Sequence, residues 1–89
     1  MINKSEELKS VIQKLIKLFK EQNYKNWEEE YTKILFYIDD DLEYAKYKIR
    51  RTFGGMGSMN DIILYDNGNL LIEENRFLDE LRYQLFELC

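Results

Sequence analysis

The amino-acid sequence predicts an α+β fold, mainly α. It reads as two to three N-terminal helices, a glycine-rich loop, a β-hairpin and a C-terminal helix, packed as one small domain over residues 1–89. Three observations predict this. Apolar residues recur at helical spacing through most of the first fifty positions and again near the C-terminus. Asn67-Gly68, flanked by Ile62-Ile-Leu-Tyr65 and Leu70-Leu-Ile72, is the signature of a tight two-residue hairpin turn. Between the two helical regions lies Phe53-Gly-Gly-Met-Gly-Ser-Met-Asn-Asp61, which holds three of the four glycines in the chain.

The first helix is expected from about Ser5 to Gln22. Its stripe is Leu8, Val11, Ile12, Leu15, Leu18 and Phe19, with Ser5 placed as the N-cap and Glu6 and Glu7 suited to the positive end of the helix dipole. Asn23 to Asn26 form the connection. The next apolar set, Trp27, Tyr31, Ile34, Leu35, Ile38, Leu42, Ala45, Ile49 and Phe53, keeps one phase throughout, so a single helix over 27–52 satisfies it. However, Asp39-Asp40-Asp41 is a poor helix interior, and Asp40 to Glu43 has capping spacing. Two helices, about Trp27 to Ile38 and Leu42 to Thr52, are therefore favoured. Gly54 suits the left-handed position that ends the second. In the hairpin, Tyr65 falls opposite Leu70. Asn75 is placed as the cap of a last helix, Arg76 to Leu88, with the stripe Phe77, Leu78, Leu81, Leu85 and Leu88.

Eighty-nine residues leave no room for a second independent core, and the 5 Phe, 7 Tyr and 1 Trp supply large side chains for the first. The longest wholly apolar runs fall far short of the roughly 20 residues that cross a bilayer. Lys9, Lys14 and Lys17 interrupt the N-terminal apolar pattern, so it does not read as a signal peptide. The lone cysteine, Cys89, cannot form an internal disulfide. These features together lead to the expectation of a cytoplasmic protein that does not engage a membrane. A net charge of −4 argues against non-specific nucleic-acid binding. Charge is uneven along the chain. Glu28 to Glu43 is strongly acidic, whereas Lys46, Lys48, Arg50 and Arg51 follow at once.

The chain has no histidine, the usual general base and a frequent metal ligand. A single cysteine cannot build a thiolate metal site within one chain. Asp39-Asp40-Asp41 with Glu43 lacks the alternating ligands and central glycine of a calcium loop, so capping and solvation account for it better. No cofactor and no metal site are expected, and catalysis is the weaker reading.

The glycine segment admits two readings. As a phosphate cradle, amides near 54–58 would act with Arg50 or Arg51 as anion contacts. The Lys-Ser/Thr ending of a nucleotide loop is missing, and the order helix–loop–strand is the reverse of the usual one. As a structural loop, Gly54, Gly55 and Gly57 permit unusual backbone geometry, while Ser58, Asn60 and Asp61 bond to nearby amides. Met56 and Met59 are either core residues or adaptable contacts for a partner.

With Glu74-Asn-Arg-Phe-Leu-Asp-Glu-Leu-Arg82, the segment resembles a family of small uncharacterised bacterial proteins. An FGGMGS-x-ND motif marks that family, followed by a short apolar stretch and a helix with a downstream Leu-x-x-Leu-Arg. The resemblance covers about Arg51 to Cys89. Some relatives look like immunity-type proteins of toxin systems, which implies a binding role. Gly54, Gly55, Gly57, Ser58, Asn60 and Asp61 carry over as motif residues, with Asn75 and Arg82 beside them. The expectation is a non-enzymatic interaction module that meets a protein partner or a second copy through acidic helix faces and the loop around Met56 and Met59.

Overall fold

A computed structural model describes residues 4–54 and 58–89. The elements run α1 (Lys4–Glu21), α2 (Lys25–Asp40), α3 (Leu42–Arg51), a single 3₁₀ turn (Met59–Asp61), β1 (Tyr65–Asp66), β2 (Asn69–Leu70) and α4 (Ile72–Leu88). The mainly helical α+β architecture is as the sequence predicts. α1 is the central helix. It packs against both α2 and α4, and α2 continues the layer into α3.

The predicted stripe of α1 is buried from Leu8 to Phe19. It meets Tyr31, Ile34 and Ile38 of α2, Ala45 and Ile49 of α3, and Leu78, Leu81 and Leu85 of α4. Full burial of each large aliphatic side chain contributes about 1.5–3 kcal/mol. Phe19 also anchors an aromatic cluster, with ring centroids 6.1 Å from Trp27 and 6.0 Å from Tyr31.

α1 ends through Asn23, whose φ of 62° places it in the left-handed region that asparagine tolerates. The Tyr24 amide donates to the Phe19 carbonyl (2.8 Å) and the Asn23 amide to that of Lys20 (3.3 Å), a Schellman closure. Ser5 lies inside α1 and is not its cap, because the helix already includes Lys4.

One residue separates α2 from α3, so the two-helix reading holds. The cap is Asp41. Its amide donates to the Tyr37 carbonyl, closing α2, and its carboxylate accepts from the Tyr44 amide at 3.1 Å, opening α3. The expected capping position at Asp40 is thus displaced by one residue. At the other end of α3, Thr52 and Phe53 donate to the carbonyls of Ile49 and Arg50. Gly54 does not occupy the left-handed region, and a Cβ added there meets nothing within 4 Å. Short-range bonds therefore end α3 without a glycine C′.

The hairpin has the predicted register, Tyr65 opposite Leu70, with Asn67 and Gly68 both at positive φ. The strands are shorter than expected. Ile62 and Leu64 are buried in an extended run outside the ladder, and Ile72 already belongs to α4. That helix starts four residues before the predicted Arg76. Leu71 stands at its cap with no side-chain bond, and Asn75 is inside the first turn. Phe77, predicted for the buried stripe, is exposed. Among the described residues no helix is long and apolar enough to cross a membrane.

Tyr31 joins α2 to the end of α3. Its hydroxyl lies 2.7 Å from Thr52 Oγ1, whose own proton goes to the Ile49 carbonyl, so Tyr31 is the donor. Burial holds this phenol well above its ordinary value of 10.0. The folded state thus favours the neutral form, and its contribution is complete below pH 10 and is lost as pH climbs beyond it. We expect the unfolding free energy of the wild type to fall above pH 10 more steeply than that of Tyr31→Phe, by up to about 1.4 kcal/mol per pH unit in urea titrations. Gly68 and Gly54 should respond differently to substitution. Gly68→Ala, at φ +81°, should lose roughly 1 kcal/mol or more, and Gly54→Ala should lose nothing measurable.

Candidate interaction surface beside the glycine segment

Apart from the 3₁₀ turn, the segment 58–64 is irregular backbone, yet it sends Met59, Ile62 and Leu64 into the core and buries Ser58. Buried amides and carbonyls without a ladder need other partners. Side chains and the neighbouring backbone supply them, the Leu71 amide donating to the Leu64 carbonyl at 3.1 Å. The Met59 amide donates to the Thr52 carbonyl at 2.8 Å. Ser58 caps the 3₁₀ turn, its hydroxyl accepting from the Asn60 amide (3.3 Å), and its carbonyl accepts from the Asp61 amide. Tyr24 Oη donates to the Ile63 carbonyl at 3.2 Å.

Two residues of α4 complete the set. Arg82, with its side chain only 14% exposed, donates from Nη1 to the carbonyls of Met59 (2.6 Å) and Ile62 (3.2 Å), while Nη2 pairs with Asp79. Asn75 behaves like a missing strand residue. Its Oδ1 accepts from the Leu64 amide (2.8 Å), and Nδ2 donates to the carbonyls of Leu64 (2.9 Å) and Leu71 (2.7 Å). This explains why it is not the helix cap. Its amide group is spent on the preceding segment, one turn inside α4.

Of the predicted site residues, Ser58, Met59, Asn60 and Asp61 come together in this clamped turn. Met59 is fully buried, so it packs the core and offers no exposed contact. Gly54 is exposed at the end of α3, whereas Gly55, Met56 and Gly57 lie outside the described residues. The two candidate anion contacts are engaged elsewhere. Arg50 Nη1 donates to the Cys89 carbonyl at 3.2 Å, and Arg51 Nη1 donates to Tyr47 Oη at 2.9 Å, with its guanidinium carbon 5.7 Å from that ring centre. Among the described residues no group of histidine, cysteine or carboxylate side chains could hold a metal ion.

Beside the clamp is an open groove of about 530 Å³, lined by Phe53, Asn60, Asp79, Arg82, Tyr83 and Phe86. Tyr83 and Phe86 are 66% and 76% exposed and flank it from α4. A second surface lies on α2 and α3, where Phe36, Tyr37, Tyr44 and Tyr47 form a chain of ring contacts with centroid separations of 5.8, 4.8 and 6.2 Å. The sequence reading does not single out these aromatics. The available signal is their spacing: Tyr44, Tyr47 and Arg51 fall off the buried stripe yet share one face of α3.

These features define a small helical domain whose glycine segment is followed by a buried turn, bolted to the last helix by an Asn–Arg pair. The chain belongs to the family described as Domain of unknown function (DUF6966), whose pattern matches residues 20–72, more than half of its length. The match takes in α2, α3, the glycine segment and the hairpin, and it stops at the first residue of α4. No curated protein and no solved structure matches the chain.

Arg82→Ala strips the Met59 and Ile62 carbonyls of their side-chain donor, and Asn75→Ala strands the Leu64 amide, whereas the Leu64 and Leu71 carbonyls keep the Leu71 and Asn75 amides. At about 1–3 kcal/mol per stranded group, Arg82→Ala should lose roughly 2–3 kcal/mol and Asn75→Ala roughly 1–2 kcal/mol in urea unfolding. Asp79→Asn, which touches only the outer ion pair, should lose less than about 1 kcal/mol.

Proposed function

We propose that this protein is a non-enzymatic protein–protein interaction module that binds a partner in the groove beside its glycine segment. The observation that carries this reading is the pair of highly exposed aromatics, Tyr83 and Phe86, held on a rigid helix next to the clamped turn. Aromatic side chains and arginine dominate binding energy at protein interfaces, particularly around a preformed depression. Phe53 and Asn60 at the rim bring both stems of the glycine segment to the same place. Within that reading, the motif resemblance, some of whose relatives look immunity-like, supports a role in a bacterial toxin system. Phosphate or nucleotide binding by 54–58 has less support, since Arg50 and Arg51 already bond to Cys89 and Tyr47.

The test compares the wild-type chain with Tyr83→Ser/Phe86→Ser as affinity baits, after circular dichroism has established that both are folded. A protein retained by the wild type should then be purified and its affinity measured by calorimetry. Loss of about 2 kcal/mol or more, roughly thirtyfold in Kd, is expected for the double variant. Equal binding by both baits would remove the groove from consideration.

A further inference from the structure

The outer face of α3 is a strip of Glu43, Tyr44, Tyr47 and Arg51, on the side opposite the buried Ala45 and Ile49. Ring contacts continue it through Tyr37 to Phe36 on α2. Its charge is divided. Asp40 and Glu43 stand at one end, and neither forms an ion pair among the described residues. Arg51 stands at the other end, stacked on Tyr47 and exposed. Glu43 and Arg51 are each four residues from Tyr47, so they lie about 6 Å to either side of it along the helix axis.

A two-fold axis through Tyr47, perpendicular to α3, therefore sets Tyr47 on its copy. It also sets Glu43 opposite Arg51 of the second copy, twice. We propose that the α2–α3 face is an isologous homodimer interface, with Tyr47 at the dyad and two reciprocal Glu43–Arg51 pairs beside it. A closed two-fold contact needs a surface complementary to itself after a half-turn, and a strip that is acidic, aromatic and then basic meets that requirement. A uniformly basic partner does not fit it, because such a partner meets Arg51 with like charge. The interface is separate from the Tyr83–Phe86 groove and stands or falls independently of it.

Sedimentation equilibrium of the full chain, from micromolar to millimolar concentration, tests the proposal. The wild type should show a monomer–dimer equilibrium. Glu43→Lys and Arg51→Glu, both at exposed positions, should each raise the dissociation constant by about tenfold or more, since each places like charges opposite one another. Mixing the two variants should yield a heterodimer of near wild-type affinity, and so should combining both substitutions in one chain. Tyr83→Ser/Phe86→Ser should leave the constant unchanged. A wild type that stays monomeric throughout overturns the proposal, even if the same face holds an unrelated protein. So does failure of the mixed or combined variants to recover, because the pairing is then not the one described.

Discussion

The structure depends on satisfying the backbone of 58–64. This stretch enters the core with one 3₁₀ turn and the Leu71–Leu64 bond at the hairpin base, and its other hydrogen bonds must come from elsewhere. An unpaired buried amide or carbonyl costs about as much as a whole hydrogen bond or more. Tyr24 from the α1–α2 turn, Thr52 from the end of α3, and Asn75 and Arg82 from α4 all converge on it. The helices are therefore joined by more than apolar contact. The α1–α2 turn, the end of α3 and α4 each bond to this segment, so the position of α4 relative to α3 is set in part by directional bonds.

That arrangement separates two roles. Ser58, Met59, Asn75 and Arg82 are occupied in holding the fold. Tyr83 and Phe86, one and four residues beyond Arg82 on α4, are left facing solvent. The same short stretch of helix thus braces the turn through Arg82 and presents aromatic surface directly beside that brace. A rigid brace favours binding because little side-chain and loop entropy remains to be lost on contact.

Much of the fold was legible in the sequence because its signals are local. The α1 stripe, the Asn67-Gly68 turn and the break at the aspartate run each depend on neighbours within a few positions. The start of α4 was not legible. Asn75 looks like a cap to any local rule, but its partners are Leu64 and Leu71, and only the folded chain places Leu64 beside it. Gly54 misleads in the same way, since Thr52 and Phe53 close α3 by short-range bonds that leave the glycine no conformational task. For the candidate site, the motif string located the right region. The groove could not be seen, because it joins Phe53 and Asn60 to side chains about twenty positions or more further on. Phe36, Tyr37, Tyr44 and Tyr47 read as ordinary core or rim aromatics until the helices fix which face looks outward.

The bond from the Met59 amide to the Thr52 carbonyl ties together the two stems of the glycine segment. Both stems are anchored by groups outside the stretch they enclose. The helical part of the chain before the segment and the hairpin–helix part after it are thus latched by a contact between two backbone groups. Truncating a side chain does not remove such a latch, so the junction tolerates changes of residue type at Thr52 and Met59 that would break a bond made by side chains.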